Sequence, residues 1–408
     1  MVTLKDSKID PEKKIIDNLD IQIIYIPLID SMGYKYIKTV SPNDYVYIGQ
    51  IVAKSNIDMP PLLSSVSGTV VGFENKYNSS GNLVECIVIE NDFKEKYQTK
   101  TGKKQNITKY SKEEFIYILK ECSIIKDKIP AYIKYDTNNQ VKYLLINGIE
   151  DEIYSSSILS IMYHYSEEIL EAIDAIMEIM HISKSYIFIT ENNETIINKF
   201  LKYINTYPNI KIYPIINAYP IGNEKYLINS ITNLNKEITK ENLIIENIDT
   251  IYAIYEALKY HKPLIEKFIT ISGNGITKGS NYHVKIGTNF SEIATKNNLY
   301  KNLKKPLLIA GGAMRGTSIK NDELIITKDL NTILVLEDIE YTEKPCINCG
   351  KCSEVCPENL IPSLIIKNEN LAKKLKINKC NNCGLCSYIC PSKIEVREYL
   401  KKIIIGEK

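Results

Sequence analysis

Apolar positions along this chain alternate with a period of two near its start and follow a helical period through its middle. They give way to evenly spaced cysteines at its end. Residues 22–95 carry short apolar runs broken by turn residues. KTVSPNDYVYIGQIVAKS and LLSSVSGTVVGFE, with Gly49 and Gly68 at the expected turns, predict short half-buried strands. Two such halves predict a barrel-sandwich hybrid, the fold of lipoyl and biotinyl carriers. The tip between them reads Ile57-Asp58-Met59-Pro60 and holds no lysine, which argues for a structural or docking module over a swinging arm.

A polar connection from Glu95 to Lys112 leads into alternating elements. SKEEFIYILKEC opens with Ser111 and has Glu114 three residues on, a capping box that starts a helix. VKYLLIN, SYIFIT and IKIYPII predict buried strands. SEEILEAIDAIMEIMHI, with Ser166 as its expected N-cap, ETIINKFLKYINTY and NIDTIYAIYEALKY predict helices. Strand–helix alternation predicts a parallel sheet in a Rossmann-like arrangement. From Pro263 the pattern changes again. EKFITISGNGI and NYHVKIGTNFSEI predict a hairpin and short helix, as in a β-grasp module, and KKPLLIAGGAMRGTSI with DLNTILVLE is expected to return to the parallel sheet or pack beside it.

Composition narrows the classes. The chain has 408 residues, a net charge of +2, 44% hydrophobic and 25% charged residues, ordinary for two to four globular domains. The near-neutral balance gives no reason to expect nucleic acid as a partner. The N-terminus lacks the apolar run of a secretory signal, and no stretch approaches the roughly 20 apolar residues of a membrane span. The expectation is a cytoplasmic chain that meets a membrane only peripherally, through a partner subunit.

Eight of the ten cysteines lie between Cys346 and Cys390. They form Cys346-x-x-Cys349-x-x-Cys352-x-x-x-Cys356-Pro357 and Cys380-x-x-Cys383-x-x-Cys386-x-x-x-Cys390-Pro391. Three thiolates at this spacing wrap one face of a cubane, and the fourth of each run ligates the other cluster. Cys346, Cys349, Cys352 and Cys390 therefore hold one [4Fe–4S] cluster in this reading, and Cys380, Cys383, Cys386 and Cys356 the second. Paired zinc sites, the competing assignment, place two CxxC pairs around a longer loop. The helical pattern of LIPSLIIKNENLAKKLKI between the runs predicts an α-helical ferredoxin domain. Cys86, in an apolar strand, reads as an inert buried thiol, and Cys122 has no evident role.

In order, IPLIDSMG, SSVSGTVVGFE, YLLINGIEDEIY, AYPIGNEKYLI, TIYAIYEALKYHKPLIEKFITISGNGITKGSNYHVKIG, IAGGAMRG and the two cysteine runs resemble the RnfC family, peripheral subunits of ion-pumping ferredoxin:NAD oxidoreductase complexes. The resemblance implies a multidomain α/β chain. Its parts are a barrel-sandwich hybrid over 1–100, an FMN/NADH-binding Rossmann-like domain over 101–262, a ligand-binding β-grasp over 263–305, a return to the core over 306–340 and a helical ferredoxin over 341–408. Two departures stand out. The family's loop GxGGAGFPT, whose amides hold the FMN phosphate, corresponds here to residues 122–132, and no glycine occurs between Lys103 and Asn147. Lys126 and Lys128 in that loop read as surface. In the acidic motif Glu150, Glu152 and Tyr154 match, while Asp151 and Ile153 replace Cys and Pro. The resemblance makes Glu150 and Glu152 cofactor-site candidates, and the missing glycines count against FMN and NADH. Gly311–Gly316 reads as a structural turn, and Gly273 and Gly275 belong to the hairpin.

The expectation is an electron-transfer subunit of an oxidoreductase system, not a stand-alone catalyst. It would pass single electrons between a protein donor and acceptor (flavoprotein, ferredoxin or reductase) without flavin, as in the PrdC-like carriers of proline reductase. An ordinary flavin-binding RnfC subunit and a non-redox assembly subunit are the alternatives. Anaerobically purified protein should contain about eight irons and eight sulfides per chain. Cys349→Ser should degrade one cluster and Cys383→Ser the other, and stoichiometric zinc without iron would refute the assignment.

Overall fold

In a computed structural model, residues 1–4, 7–17, 19–98, 106–303, 305–338 and 341–406 are described. The period-two segment forms two small antiparallel sheets. Ile23–Pro27 pairs with Leu83–Asn91, which pairs with Gly68–Tyr77, and that strand carries Tyr45–Val46 at its edge. Tyr36–Lys38, Ile51–Ser55 and Leu62–Leu63 make the second sheet. Their inward residues Val46, Val52, Val66, Val70, Ile87 and Ile89 share one core. Gly49 occupies a left-handed position, φ +81°, as a turn requires. Gly68 instead begins a strand. A Cβ there would lie 1.9 Å from the Glu90 carbonyl oxygen, so glycine is set by strand approach. The expected tip is tucked inward: the Tyr132 hydroxyl donates to the Asp58 carbonyl at 3.1 Å and the Ser123 hydroxyl to the Pro61 carbonyl at 2.8 Å.

The middle of the chain builds a four-stranded parallel sheet in the order Ile210–Ile215, Lys184–Thr190, Tyr143–Asn147, Leu243–Asn247. Side chains alternate along Tyr143–Asn147. Leu144 and Ile146 pack into the core under helices Ser157–His164, Ser166–Met180 and Ile248–Tyr260, while Tyr143 and Leu145 meet Tyr226, Leu227 and Ile231 of Glu224–Leu234. Ser111 caps Lys112–Glu121 through the full capping box. Ser166 does not cap. It is the first residue of its helix, entered through Tyr165 directly from the preceding helix, and no side chain bonds the free amides. The expected boundary at 100/101 lies outside the described residues.

Residues 306–337 do not return to the parallel sheet. Pro306–Ala310, Thr317–Ile319 and Thr332–Glu337 join the hairpin Glu266–Ser272/Ser280–Lys285 in one five-stranded sheet, where Thr332–Glu337 runs parallel to Glu266–Ser272 at the centre. Ile269, Ile271, Leu308 and Ile333 bury into the same cluster as the N-terminal sheets, so these two units share a core. The C-terminal unit keeps its own, around Ile365, Ile377, Val396 and Leu400. Gly68→Ala should cost about 1–3 kcal/mol by forcing strands apart; an unchanged denaturant midpoint would show that the strands separate without cost.

Candidate functional site: a cysteine dicluster beside an acidic cavity

The two cysteine runs fold alike. Asn348 and Asn382 (φ +58° and +57°) and Gly350 and Gly384 (φ +78° and +82°) are left-handed, and each glycine opens a one-turn helix, Lys351–Glu354 or Leu385–Tyr388. The chain thus wraps twice in the same way around where its thiols point. Cys356 of the first run lines one small cavity with Cys380, Cys383 and Cys386 of the second. At the other end the Lys344 amide donates to the Ser392 carbonyl at 2.9 Å and the Ser392 hydroxyl to the Pro345 carbonyl at 3.1 Å, which brings Cys346 toward Cys390. Among the described residues no three such side chains converge tightly enough for one metal ion. Four thiols around a cavity suit a bulky cluster, whereas zinc draws four sulfurs to about 2.3 Å from one point. The two sites differ in burial. Cys383 is buried and Cys349 is exposed.

The buried end docks on the rest of the chain. The Tyr219 hydroxyl donates to the Cys383 carbonyl at 2.6 Å. Arg397 donates to the carbonyls of Arg315 at 2.6 Å and Gly316 at 3.2 Å. Gly384 lies so close to the Met314 carbonyl that a Cβ would sit 2.5 Å from it. Tyr226, near the start of Glu224–Leu234, donates to Glu358 at 2.7 Å and accepts from Asn381 at 2.8 Å.

Across the same turn lies a cavity of about 520 Å³ outside the carboxyl ends of Tyr143–Asn147 and Leu243–Asn247. Those neighbours are the first and last strands of the sheet, so the cavity occupies the switch point where open α/β sheets bind ligands. Glu150 and Glu152 both line it, with different tasks. Glu152 accepts the Met314 amide at 2.9 Å and Arg315 Nε at 2.8 Å. Asp151 accepts Arg315 Nη2 at 2.5 Å and the Gly222 amide at 2.9 Å. A Cβ on Gly312 would sit 2.2 Å from the Glu152 carboxyl carbon, so the GGAMRG turn is shaped to that acid. Glu150 has only a long bond from the Ile158 amide, 3.3 Å, and burial pushes its carboxyl up to about 7.

Residues 122–132 form a tight hairpin, Ile125–Lys126 against Ile129–Pro130, turning at Asp127 with φ +53°. Lys126 is not a surface residue. It is 3% exposed, pairs with Glu224 and donates to the Ile245 carbonyl at 2.8 Å. Lys128 lines the cavity, 3.7 Å from Asp329. Cys86 and Cys122 are buried thiols, each pushed up to about 12 by burial. Sequence reasoning overlooks Asp151, Tyr219, Arg315 and Arg397. A usable signal exists: Arg315 and Arg397 are the only arginines among 51 cationic residues, and both stand at this junction.

A cysteine dicluster domain seated beside a switch-point cavity defines an iron–sulfur electron-transfer subunit. Residues 2–94 match the RnfC barrel sandwich hybrid domain, 126–256 the Nuo51 FMN-binding domain and 345–394 the 4Fe-4S dicluster domain. The chain is 28% identical over 378 residues to the RnfC subunit of the proton-translocating ferredoxin:NAD(+) oxidoreductase complex of Clostridium ljungdahlii, covering 87% of this chain and 82% of that one. It is 30% identical over 361 residues to the RnfC subunit of the ion-translocating oxidoreductase complex of Rhodobacter capsulatus, covering 83% and 68%. Against the corresponding Haemophilus influenzae subunit, 28% identical, it spans 54% of the relative's length. An NAD+-reducing [NiFe]-hydrogenase chain shares the fold at a TM-score of 0.50 and 11% identity, over 73% of this chain and 55% of that one. The chain belongs to the RnfC family of ion-translocating oxidoreductase subunits. The match to a flavin-binding domain favours an ordinary RnfC subunit over the flavin-free carrier expected from the missing glycines. No helix among the described residues is long and apolar enough to cross a membrane.

Removing Arg315 would strand two carboxylates that are 5% and 10% exposed, although its own side chain is 37% exposed, which tempers the loss. Arg315→Ala should destabilise by about 2 kcal/mol and loosen the C-terminal domain. Denaturant unfolding and limited proteolysis between the domains would read both, and wild-type behaviour in the two would exclude a role for the fork.

Proposed function

We propose that the chain is a flavin-dependent RnfC subunit that moves electrons between a nicotinamide and an external one-electron carrier. Its units would be the hybrid barrel, the Rossmann-like domain, a β-grasp module extended by residues 306–337, and the helical ferredoxin. Cys380, Cys383, Cys386 and Cys356 hold the inner cluster, and Cys346, Cys349, Cys352 and Cys390 the outer one. The observation that carries the reading is the unbroken junction from cavity to inner cluster: Glu152 and Asp151 grip Arg315, and the adjoining backbone touches Gly384 and Arg397.

The cavity suits a flavin in volume and in position. The N-termini of Glu224–Leu234 and Ile248–Tyr260 border it through Asn223, Glu224, Asn247 and Asp249, and Lys128 supplies a cation at the hairpin that stands where the family has glycines. Gly311 and Gly312 leave room for a flat ring. A bound flavin supplies the conversion of a two-electron hydride into single electrons, which clusters cannot perform. The chain's own residues do the rest. Glu150, near half-protonated at neutral pH, can hold or release a proton at its carboxyl oxygen. Arg315 fixes Asp151 and Glu152 in place, and Tyr219 holds the Cys383 backbone against the cavity wall. Association with a membrane would run through partner subunits.

A second reading, the flavin-free PrdC-like carrier, is favoured by one feature, the two-residue turn at Asp127 and Lys128 that leaves no glycine amides for a phosphate. The test is cofactor content and reduction. Protein reconstituted anaerobically should hold about one FMN per chain and lose cluster absorbance on adding NADH. Bleaching by reduced ferredoxin alone, with no retained FMN, would establish the second reading instead.

A further inference from the structure

Most lysines sheltered within this chain have a carboxylate beside them. Lys262 contacts Glu256 and Glu266 at 2.8 and 2.6 Å, Lys267 contacts Asp249 at 2.7 Å, and Lys126 pairs with Glu224. Lys328 does not follow this rule. Its Nζ donates to the Ser123 carbonyl at 2.9 Å and the Ser123 hydroxyl at 2.5 Å, and among the described residues no carboxylate lies within ion-pairing distance. The nearby acids are engaged elsewhere. Asp329 takes Ser79, Thr327 and Lys128; Asp127 takes Asn247; Asp30 accepts the amides of Met32 and Tyr34. On the helix side Asp249 is held by Lys267, and the Cys122 thiol, pushed up to about 12, carries no charge. Burial without a counter-charge pushes the Lys328 ammonium down to about 7.

This amine borders a cavity of about 70 Å³ where the hybrid barrel, the hairpin of residues 125–130 and the five-stranded sheet meet. The walls are apolar, chiefly Ile26, Met59, Leu62, Leu264 and Ile265. An uncharged amine at the edge of an apolar cavity is the arrangement that activates lysine as a nucleophile. A charged ligand would lose its hydration there, so the occupant must be small and neutral, with an electrophilic carbonyl as its one polar group.

We propose that Lys328 is a covalent binding site for a small apolar aldehyde or ketone, held as a Schiff base in this cavity. The Nζ lone pair forms a bond to the carbonyl carbon, the carbonyl oxygen takes two protons and leaves as water, and a C=N bond remains. No oxidant or reductant is consumed, and the reaction reverses by hydrolysis.

The experiment uses the full chain with clusters intact, under anaerobic conditions. Protein is exposed to limiting propionaldehyde with cyanoborohydride, whose hydride reduces the imine to a stable secondary amine, and labelled lysines are mapped by peptide mass spectrometry. At pH 7 an amine titrating near neutrality holds on the order of a thousand times more free base than an ordinary lysine. Lys328 should therefore be propylated at least about ten times faster than surface lysines, with a rate midpoint near neutral pH. A bulky naphthaldehyde should lose this preference, because the cavity is too small. Labelling spread over surface lysines with Lys328 protected at pH 7, or equal preference for the bulky aldehyde, would overturn the proposal. The wild-type chain decides the matter, and Lys328→Arg, which keeps the donor to Ser123, should remove the fast site alone.

Discussion

The arrangement hinges on one guanidinium. Arg315 binds two adjacent carboxylates with its fork while its own carbonyl accepts from Arg397 of the C-terminal domain. Lysine, a point charge on a flexible stem, could not hold both acids in one plane. That geometry explains why a chain that uses lysine almost everywhere keeps arginine at these two positions. The turn carrying Arg315 needs Gly312 and Gly316 because the Glu152 carboxylate and the turn's own carbonyls leave no room for a Cβ. Sheet, acidic loop, turn and cysteine domain are thereby fixed with respect to one another.

What the sequence revealed follows from where each constraint acts. Cysteine spacing is read directly, since ligand geometry is local. The capping box at Ser111 is likewise local. Ser166 misled because a serine before an apolar helical run looks like a cap unless one knows that the chain arrives from another helix through Tyr165. Lys126 misled more deeply. Its partners, Glu224 and Ile245, are distant in sequence, and no window around residue 126 records that they close over it. Residues 306–337 were ambiguous for a similar reason: apolar strands of that length suit either sheet, and the pairing of Thr332–Glu337 with Glu266–Ser272 decides between them.

The hairpin at residues 125–130 changes the electrostatics around the cavity as well as its shape. A glycine loop offers amide dipoles at no charge cost. Here Lys126 enters the protein and must be met by Glu224, while Lys134 stands 3.8 Å from the same acid and donates to the carbonyl that Lys126 also uses. Glu246 lies fully buried among these groups, its carboxyl pushed up to about 7 by desolvation. Paired charges of this kind add little net stability but penalise any rearrangement that breaks them, so this corner of the sheet is stiff.

In a carrier built on the hybrid-barrel fold, the tip sweeps a tethered group between distant centres. Here Asp58 and Pro61 are fastened by Tyr132 and Ser123, and the barrel shares its core with the five-stranded sheet. A shuttle has become a strut. Redox traffic through such a body proceeds by tunnelling across distances set once, at folding, and the only travelling part of the circuit is the partner that arrives at the exposed side of Cys349.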